Sequence, residues 1–278
     1  MTAQISETTA FEALMEQVVP IEGGACTATV TEDWMQGRAV FGGLMGAIGV
    51  QALRRTLPAE TASRPLRGLM TSFIGPPGAG KLRIQCEELR SGRTATWAEA
   101  RIHADDQLCT TVTACLGDRR ESKISVPPAG RPECRAPEDS RAMPFLPGLT
   151  PNFFQHFHLH WAIGKMPMSA SDGAEMGVWL RYRQITALSE AHVVALMDAL
   201  PPAVMQMYRE MKPISTLTWH LEMLDDLEGE DTRDAEGWWF FHVRADHAAD
   251  GYSAQNATLY TPAGRAIAMS QQVIAVFG

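Results

Sequence analysis

The hydrophobic pattern along the chain alternates between helical and strand-like segments. Residues 41–55 are apolar and rich in glycine, and residues 193–200 are apolar on every side of a helical projection except at one position. Both patterns predict helices that are enclosed by other elements. Short apolar runs separated by turn residues predict antiparallel β-strands around these helices. The runs cover residues 66–74, 82–89, 94–103, 108–116, 153–163, 178–184, 214–223, 238–245, 253–260 and 266–277.

The order of these elements repeats. A helix followed by four strands occurs in each half, and the two copies lie about 150 to 160 residues apart, which predicts a duplicated structural unit. The segment between them, residues 118–151, is polar and contains seven prolines, so we interpret it as a linker. The predicted organisation is an N-terminal module at 1–117, this linker, and a C-terminal module at 152–278.

Composition narrows the class of function. The 278 residues carry a net charge of -8 without a concentration of Lys and Arg, which argues against a nucleic-acid partner. Five cysteines without a CxxC pair predict neither a disulfide framework nor a zinc site, and they favour a reducing, cytoplasmic location. The chain has no signal-peptide pattern and no apolar run long enough to predict insertion into a membrane.

One glycine-rich segment is similar to a nucleotide-binding motif. Residues 75–82 nearly match a phosphate-binding loop, but Leu82 stands where the Ser or Thr that reaches magnesium is required. A strand-like run follows this segment, whereas the motif needs a helix. We therefore expect no nucleotide cofactor.

The exception in the second apolar helix is Asp198. A carboxylate among apolar neighbours is costly to bury, so it is paired, caps another element or takes part in chemistry. Because Pro201 and Pro202 cannot continue the helix, we expect Asp198 in its last turn, where the helix dipole raises the basicity of a carboxylate. The alternative is that Asp198 caps a second helix that begins near Pro201.

Two short motifs carry a family resemblance. Residues 40–43 read Val-Phe-Gly-Gly at the start of the first helix, and residues 88–94 read Glu-Leu-Arg-Ser-Gly-Arg-Thr in a hairpin. In their order and spacing they resemble the TesB-like (type II) acyl-CoA thioesterases, and the likeness covers most of residues 34–117 and 178–277. The resemblance implies an α+β double hot dog fold, in which two tandem modules each wrap an antiparallel sheet around a central helix.

The resemblance also implies a catalytic set of Asp198, Thr216 and Gln272 that hydrolyses an acyl-CoA thioester to free acid and CoA with an Asp-activated water. Gln271 and Gln272 face opposite sides of a regular strand, and the family position selects Gln272, a choice that a bulge would reverse. The amides of Gly42 and Gly43, at a helix N-terminus, are candidates to bind the thioester oxygen. We expect no metal and no other cofactor.

Only the second half carries this polar set. The first helix has no acidic residue, so we predict one active site per chain, where the two halves meet. Exposed edges of the predicted sheets also make a homodimer reasonable.

Two departures from the family keep another class of function open. The family often has Asp at the position of Thr218 and Glu-Gly at residues 273–274, where this chain has Val-Ile. These differences favour a non-catalytic protein that binds acyl-CoA or an acyl carrier. An enoyl-CoA hydratase is less favoured, because its Asp and His lie about five residues apart, and His192 lies six residues before Asp198.

Three alternating histidines form a further cluster in the sequence. His156, His158 and His160 are predicted to share one strand face. No carboxylate or cysteine pattern completes a metal site around them, so we interpret them as a polar face or a pocket wall.

Overall fold

A computed structural model describes residues 8–225, 227–232 and 234–277. Within these ranges the helices are α1 (Phe11–Glu16), α2 (Gly42–Thr56), α3 (Ala59–Ala62) and α4 (Glu190–Leu196). The strands are β1 (Val19–Ile21), β2 (Ala25–Val30), β3 (Met35–Gln36), β4 (Ala39–Val40), β5 (Leu66–Phe73), β6 (Gly80–Ser91), β7 (Ala95–Ala104), β8 (Gln107–Gly117), β9 (Arg141–Met143), β10 (Phe157–Ile163), β11 (Glu175–Tyr182), β12 (Ile214–Met223), β13 (Trp239–Ala249), β14 (Tyr252–Tyr260) and β15 (Ala266–Val276).

Thirteen of the strands form one antiparallel sheet in the order β1-β2-β6-β7-β8-β5-β12-β15-β14-β13-β11-β10-β9. The block β6-β7-β8-β5 recurs as β13-β14-β15-β12, so the predicted repeat of a helix and four strands is confirmed. The two blocks join where β5 pairs with β12, with Thr71 opposite Trp219. The sheet is therefore continuous across the two halves, and its inner face encloses both central helices.

Helices α2 and α4 contact each other directly because α2 carries glycines on the contact face. A β-carbon at Gly43 would lie 2.7 Å from the carbonyl oxygen of Ala195, and one at Gly46 would lie 2.9 Å from Cζ3 of Trp219 and 3.1 Å from Cγ1 of Val194. Glycine costs a helix about 1 kcal/mol relative to alanine. Here the missing side chains allow α4 and the strand β12 to approach the backbone of α2, which offsets that cost.

An ion pair joins the C-terminal end of α2 to the N-terminal end of α4. Nε of Arg54, near the end of α2, lies 2.5 Å from Oε1 of Glu190, the first residue of α4. The second contact, from Nη2 to Oε2, is 2.8 Å long, so the pairing is bidentate. The same guanidinium also donates to the carbonyl oxygens of Ala62 and Arg64. This network fixes the register of α2 against α4.

The predicted strand at 153–163 is wrong over its first part. Residues Asn152–His156 form a 3-10 turn, and the strand begins at Phe157. Aromatic packing accounts for the turn, because the ring of Phe153 stacks on Phe41 of the first half at a centroid distance of 4.0 Å. The turn bridges the two modules.

The three histidines consequently do not share one strand face. His156 lies in the turn, where its ring stacks on Trp34 at 3.8 Å and its Nε2 lies 3.1 Å from Oδ2 of the buried Asp33. His158 and His160 lie on β10, beside the ring of Trp238. The contacts of His156 add a second connection between the halves.

The segment 118–151, interpreted as a linker, contains one short strand. The strand β9 pairs with β10 at the edge of the large sheet. Two hydrogen bonds from the second module also reach this segment. The backbone oxygen of Arg135 accepts one from Nε1 of Trp179, and the backbone oxygen of Pro137 accepts one from the ring of His160. The second half of this segment, from Arg135 onward, therefore packs on the C-terminal module.

Replacement of Gly46 tests the contact between the helices. We expect Gly46→Val to lower the free energy of unfolding by about 1–3 kcal/mol, because the new side chain overlaps Trp219 and Val194 in a packed interior. Chemical denaturation monitored by circular dichroism measures this change. Gly78→Val is the matched control, since a β-carbon at Gly78 meets nothing within 4 Å. An equal loss in both variants would contradict the packing argument.

Candidate active site

Asp198 lies in a tight turn immediately after α4, and its predicted place in the last helical turn is wrong. The helix starts with a capping box between Ser189 and His192 and ends at Leu196. The chain then tightens, with bonds from the amide of Asp198 to the carbonyl of Ala195 and from Ala199 to Leu196. These bonds span three residues instead of four, as is common at helix ends. The turn directs the carboxyl group of Asp198 back toward α2.

The alternative role of Asp198 as a helix cap is not supported. The element after the two prolines is a short 3-10 turn, Ala203–Gln206, and it has no side-chain cap. The carboxyl group of Asp198 instead contacts the start of α2. A β-carbon on Gly42 would lie 2.6 Å from its Oδ2, so the carboxylate occupies space that only glycine leaves free.

Gln272 of β15 is the side chain that contacts Asp198. Its Nε2 donates a hydrogen bond of 2.7 Å to Oδ1 of Asp198. Gln272 is buried, whereas Gln271 is exposed on the other face of the sheet. Strand β15 is regular at this point, with Gln271 opposite His220 and Gln272 opposite Trp219, so no bulge reverses the two side chains.

The pKa of Asp198 is displaced toward neutrality. Burial of the carboxyl group raises the pKa from its ordinary value of 3.8 to about 7, while the hydrogen bonds from Gln272 and from the backbone of Gly43 oppose the rise. The residue as a whole keeps some accessible surface, but its carboxyl group is enclosed. Removal from water, and not the helix dipole that the sequence suggested, is the main cause of the shift. A carboxyl group with this pKa can take up and release a proton near pH 7.

Thr216 shares a sheet face with Gln272 but does not bond to it. It pairs with the buried Ile274, two residues from Gln272 on the same strand, and a bulge follows between Thr216 and Thr218. Cross-strand partners lie on the same side of a sheet, so Thr216 is on the inner side. Within the described residues, its side chain makes no hydrogen bond to Asp198 or Gln272. The structure thus brings two of the three predicted residues into contact.

Gly42 and Gly43, whose amides are the predicted donors to the thioester oxygen, lie at the start of α2 beside Asp198. The interaction of the Gly43 backbone with the carboxyl group of Asp198 lowers the pKa of that group. For the amide of Gly42, the described part of the chain provides no acceptor. That these two amides bind the thioester oxygen stays a prediction.

Sequence reasoning missed Gln255, which lies behind Gln272. This residue of β14 is buried, and its Nε2 donates to Oε1 of Gln272 at 2.5 Å. Its own Oε1 accepts a bond of 3.0 Å from the backbone amide of Ala203. The signal was present in the alternation of β14, where Ser253, Gln255, Ala257 and Leu259 form the buried face. A glutamine among such residues is a buried polar group that needs partners.

The described residues contain no group of three or more His, Cys, Asp or Glu side chains arranged to hold a metal ion. Likewise, none of their helices combines the length and apolar character needed to span a membrane.

Family models match both halves of the chain. The model of the acyl-CoA thioesterase N-terminal domain matches residues 30–117, and that of the acyl-CoA thioesterase C-terminal domain matches residues 137–276. The chain therefore belongs to the acyl-CoA thioesterase family. It is a thioester hydrolase, and the resemblance inferred from residues 40–43 and 88–94 is confirmed.

Solved structures share the architecture over nearly the whole chain. A hot dog protein of unknown function from Alicyclobacillus acidocaldarius has a TM-score of 0.85 at 22% identity, covering 98% of this chain and 99% of its own. A putative thioesterase II from Thermobifida fusca YX has a TM-score of 0.79 at 18% identity, with 98% and 99% covered. Acyl-CoA thioesterase II TesB2 from Mycobacterium marinum has a TM-score of 0.71 at 16% identity, with 95% and 98% covered. These similarities confirm the hot dog fold. A search of curated proteins gave no match.

The displaced pKa of Asp198 predicts an effect on stability. Because the pKa is higher in the native state than the ordinary 3.8, the native protein binds this proton more tightly than the unfolded chain does. The resulting stability is full below pH 3.8 and is lost as the pH rises through about 7.

We therefore expect Asp198→Asn to unfold at higher denaturant concentration than the unmodified protein near pH 8, and the difference to shrink toward about pH 4. Urea denaturation across this range measures the effect. Asp172→Asn, at an exposed position, controls for the loss of one negative charge. A difference that does not depend on pH would be inconsistent with a raised pKa.

Proposed function

We propose that this chain hydrolyses acyl-CoA thioesters to the free acid and CoA, with a water molecule activated by Asp198. The observation that carries the proposal is the enclosed carboxyl group, whose pKa lies at about 7 and whose Oδ1 is held by Gln272. A general base is most effective when its pKa is near the working pH. An ordinary surface carboxylate is a much weaker base.

In the proposed reaction the ionised Asp198 accepts a proton from water while the water oxygen attacks the thioester carbonyl carbon. A tetrahedral intermediate forms, with negative charge on the former carbonyl oxygen. When it collapses, the carbon–sulfur bond breaks and the CoA thiolate leaves, taking the proton held by Asp198. The carboxylic acid and the free thiol are released, and Asp198 returns to its ionised form. No covalent enzyme intermediate is required.

The neighbouring groups have distinct roles in this proposal. Gln272 fixes the direction of the Asp198 carboxyl group by a bond to Oδ1, and each carboxylate oxygen retains a second acceptor position for water. Thr216, on the same face of the sheet, supplies a hydroxyl group to orient the attacking water. The amide of Gly42, at the N-terminus of α2, donates to the oxyanion, where the helix dipole favours negative charge.

The departures from the family pattern do not favour a binding protein without activity. Thr218 and Val273 are cross-strand partners, and both are exposed on the outer face of the sheet, away from Asp198. Of the changed positions, only Ile274 points inward, opposite Thr216. The structure also gives no support to a hydratase, because the ring of His192 is held by Ser189 and lies 3.7 Å from Glu12.

Asp198→Asn tests the proposal directly. We expect the rate of thiol release from a panel of acyl-CoA substrates to fall by about 10²–10⁴-fold, because the amide cannot accept the proton from water. The active protein should show a kcat/KM that increases with pH through about 7, as Asp198 loses its proton. Undiminished turnover by Asp198→Asn would exclude this residue as the base. Binding of acyl-CoA without thiol release by the unmodified protein would instead identify a binding protein.

Thr216→Val tests the proposed orientation of water. The substitution keeps the shape of the side chain and removes the hydroxyl group, so we expect kcat to fall by about 10-fold or more with little change in KM. Thr218→Val is the matched control, since this residue lies on the same strand with an exposed side chain. Equal kinetics for the two variants would remove Thr216 from the mechanism.

A further inference from the structure

The side-chain amide of Gln272 can act on Asp198 in two opposite ways. With its NH2 group toward the carboxyl group, it donates a hydrogen bond and favours the ionised form. With its oxygen in that position, it can only accept, and it favours the protonated form. Because the two orientations have nearly the same shape, the packing around Gln272 does not choose between them. The choice must come from a hydrogen-bonding partner.

Gln255 provides a partner of fixed direction. The backbone N–H of Ala203 can only donate, so the atom of Gln255 that lies 3.0 Å from it is the side-chain oxygen. The NH2 group of Gln255 then faces Gln272, and the atom that receives it at 2.5 Å is the oxygen of Gln272. The remaining NH2 group of Gln272 therefore faces Oδ1 of Asp198 at 2.7 Å.

We propose that Gln255 is a positioning residue that fixes the orientation of the Gln272 amide so that its N–H is directed at Asp198. The inference rests on the proposed function, in which Asp198 is the base. The direction originates at a backbone N–H, which has no alternative orientation. Gln255 does not touch the carboxyl group and acts through Gln272.

Because both glutamine side chains are buried, reversing the orientation of the Gln272 amide is energetically unfavourable. Gln255 and Gln272 are both at least nine-tenths buried, and they lie directly opposite each other on β14 and β15. A reversed Gln272 would place its NH2 group against the NH2 group of Gln255, leaving buried donors without acceptors. Such an unsatisfied buried group costs about 1–3 kcal/mol.

Within the described part of the chain, no charged side chain competes with the side-chain amides of Gln255 and Gln272 for control of Asp198. The pKa of Asp198 responds to burial, Gln272 and Gly43, with no charged group among the causes. The charged residues of α2 and α4 lie at the opposite ends of these helices, including Arg54 and Glu190. Strand β15 carries none, and Glu222 on β12 is exposed on the outer face.

Gln255→Met tests the proposal, since methionine has a similar length but neither donates to Gln272 nor accepts from Ala203. We expect the pKa of Asp198 to rise by about 0.5–1 pH unit, because the bond from Gln272 is no longer enforced. The titration is followed by NMR of protein with a ¹³C-labelled aspartate carboxyl carbon, in which Asp198→Asn identifies the signal. The acidic limb of the kcat/KM profile should move to higher pH by the same amount.

A double-mutant cycle distinguishes positioning from a general structural effect. If Gln255 acts through Gln272, the substitution Gln255→Met should add no further shift in a Gln272→Met background. Gln271→Met, at the exposed neighbour of Gln272, should leave the titration unchanged. The proposal is overturned if Gln255→Met titrates like the unmodified protein, or if its shift persists in full without Gln272.

Two further readouts keep the outcomes separable. If Gln255→Met does not fold, the side-chain amide ¹H and ¹⁵N signals of Gln255 in the unmodified protein should shift with the same midpoint as Asp198, and their independence would contradict the coupling. If the unmodified protein releases no thiol from any acyl-CoA, the proposed function fails, while the carboxyl titration still decides the role of Gln255.

Discussion

The contact between α2 and α4 is the constraint on which the rest of the molecule depends. Two helices with ordinary side chains pack about 8–10 Å apart. Here the absence of side chains at Gly43 and Gly46 lets the backbone of α2 meet Ala195, Val194 and Trp219. This approach brings the turn after α4 against the N-terminus of α2, and the carboxyl group of Asp198 fills the space beside Gly42. The position of the carboxylate is thus a consequence of helix packing.

The groups that contact the buried carboxylate of Asp198 are neutral, and their neutrality affects its pKa. A cation next to Asp198 would compensate for the lost hydration but would also lower its pKa and reduce its basicity. Amides donate hydrogen bonds without a full charge, so they hold the carboxyl group while burial keeps its pKa near 7. The protein gives up some stability at neutral pH to keep this group enclosed, as is common at active sites.

Much of this arrangement could be predicted from the sequence. The helix-plus-four-strand repeat, the role of Asp198 as an exception in an apolar segment, and the inward direction of Gln272 all follow from local periodicity and family position. The length of α4 could not be predicted, because Met197, Ala199 and Leu200 are as apolar as the helix and only the prolines beyond them mark an end. The turn at His156 also escaped, since its stacking on Trp34 depends on a residue more than a hundred positions away. Gln255 was missed for a similar reason: its partners, Gln272 and Ala203, are neighbours only after folding.

The two ends of the helix pair are chemically different, a difference that two identical modules related by symmetry cannot produce. At one end the first residue of α2 is Gly42, whose missing side chain makes room for Asp198; at the other, the first residue of α4 is Glu190, which closes that end by binding Arg54. A symmetric dimer of identical modules must place the same residue at both ends. Glycine at both would leave the Arg54 end without its acidic partner, and glutamate at both would fill the space that the carboxylate occupies. Covalent fusion of the two modules removes this symmetry, so the residue at one end of the helix pair can change without the same change at the other end.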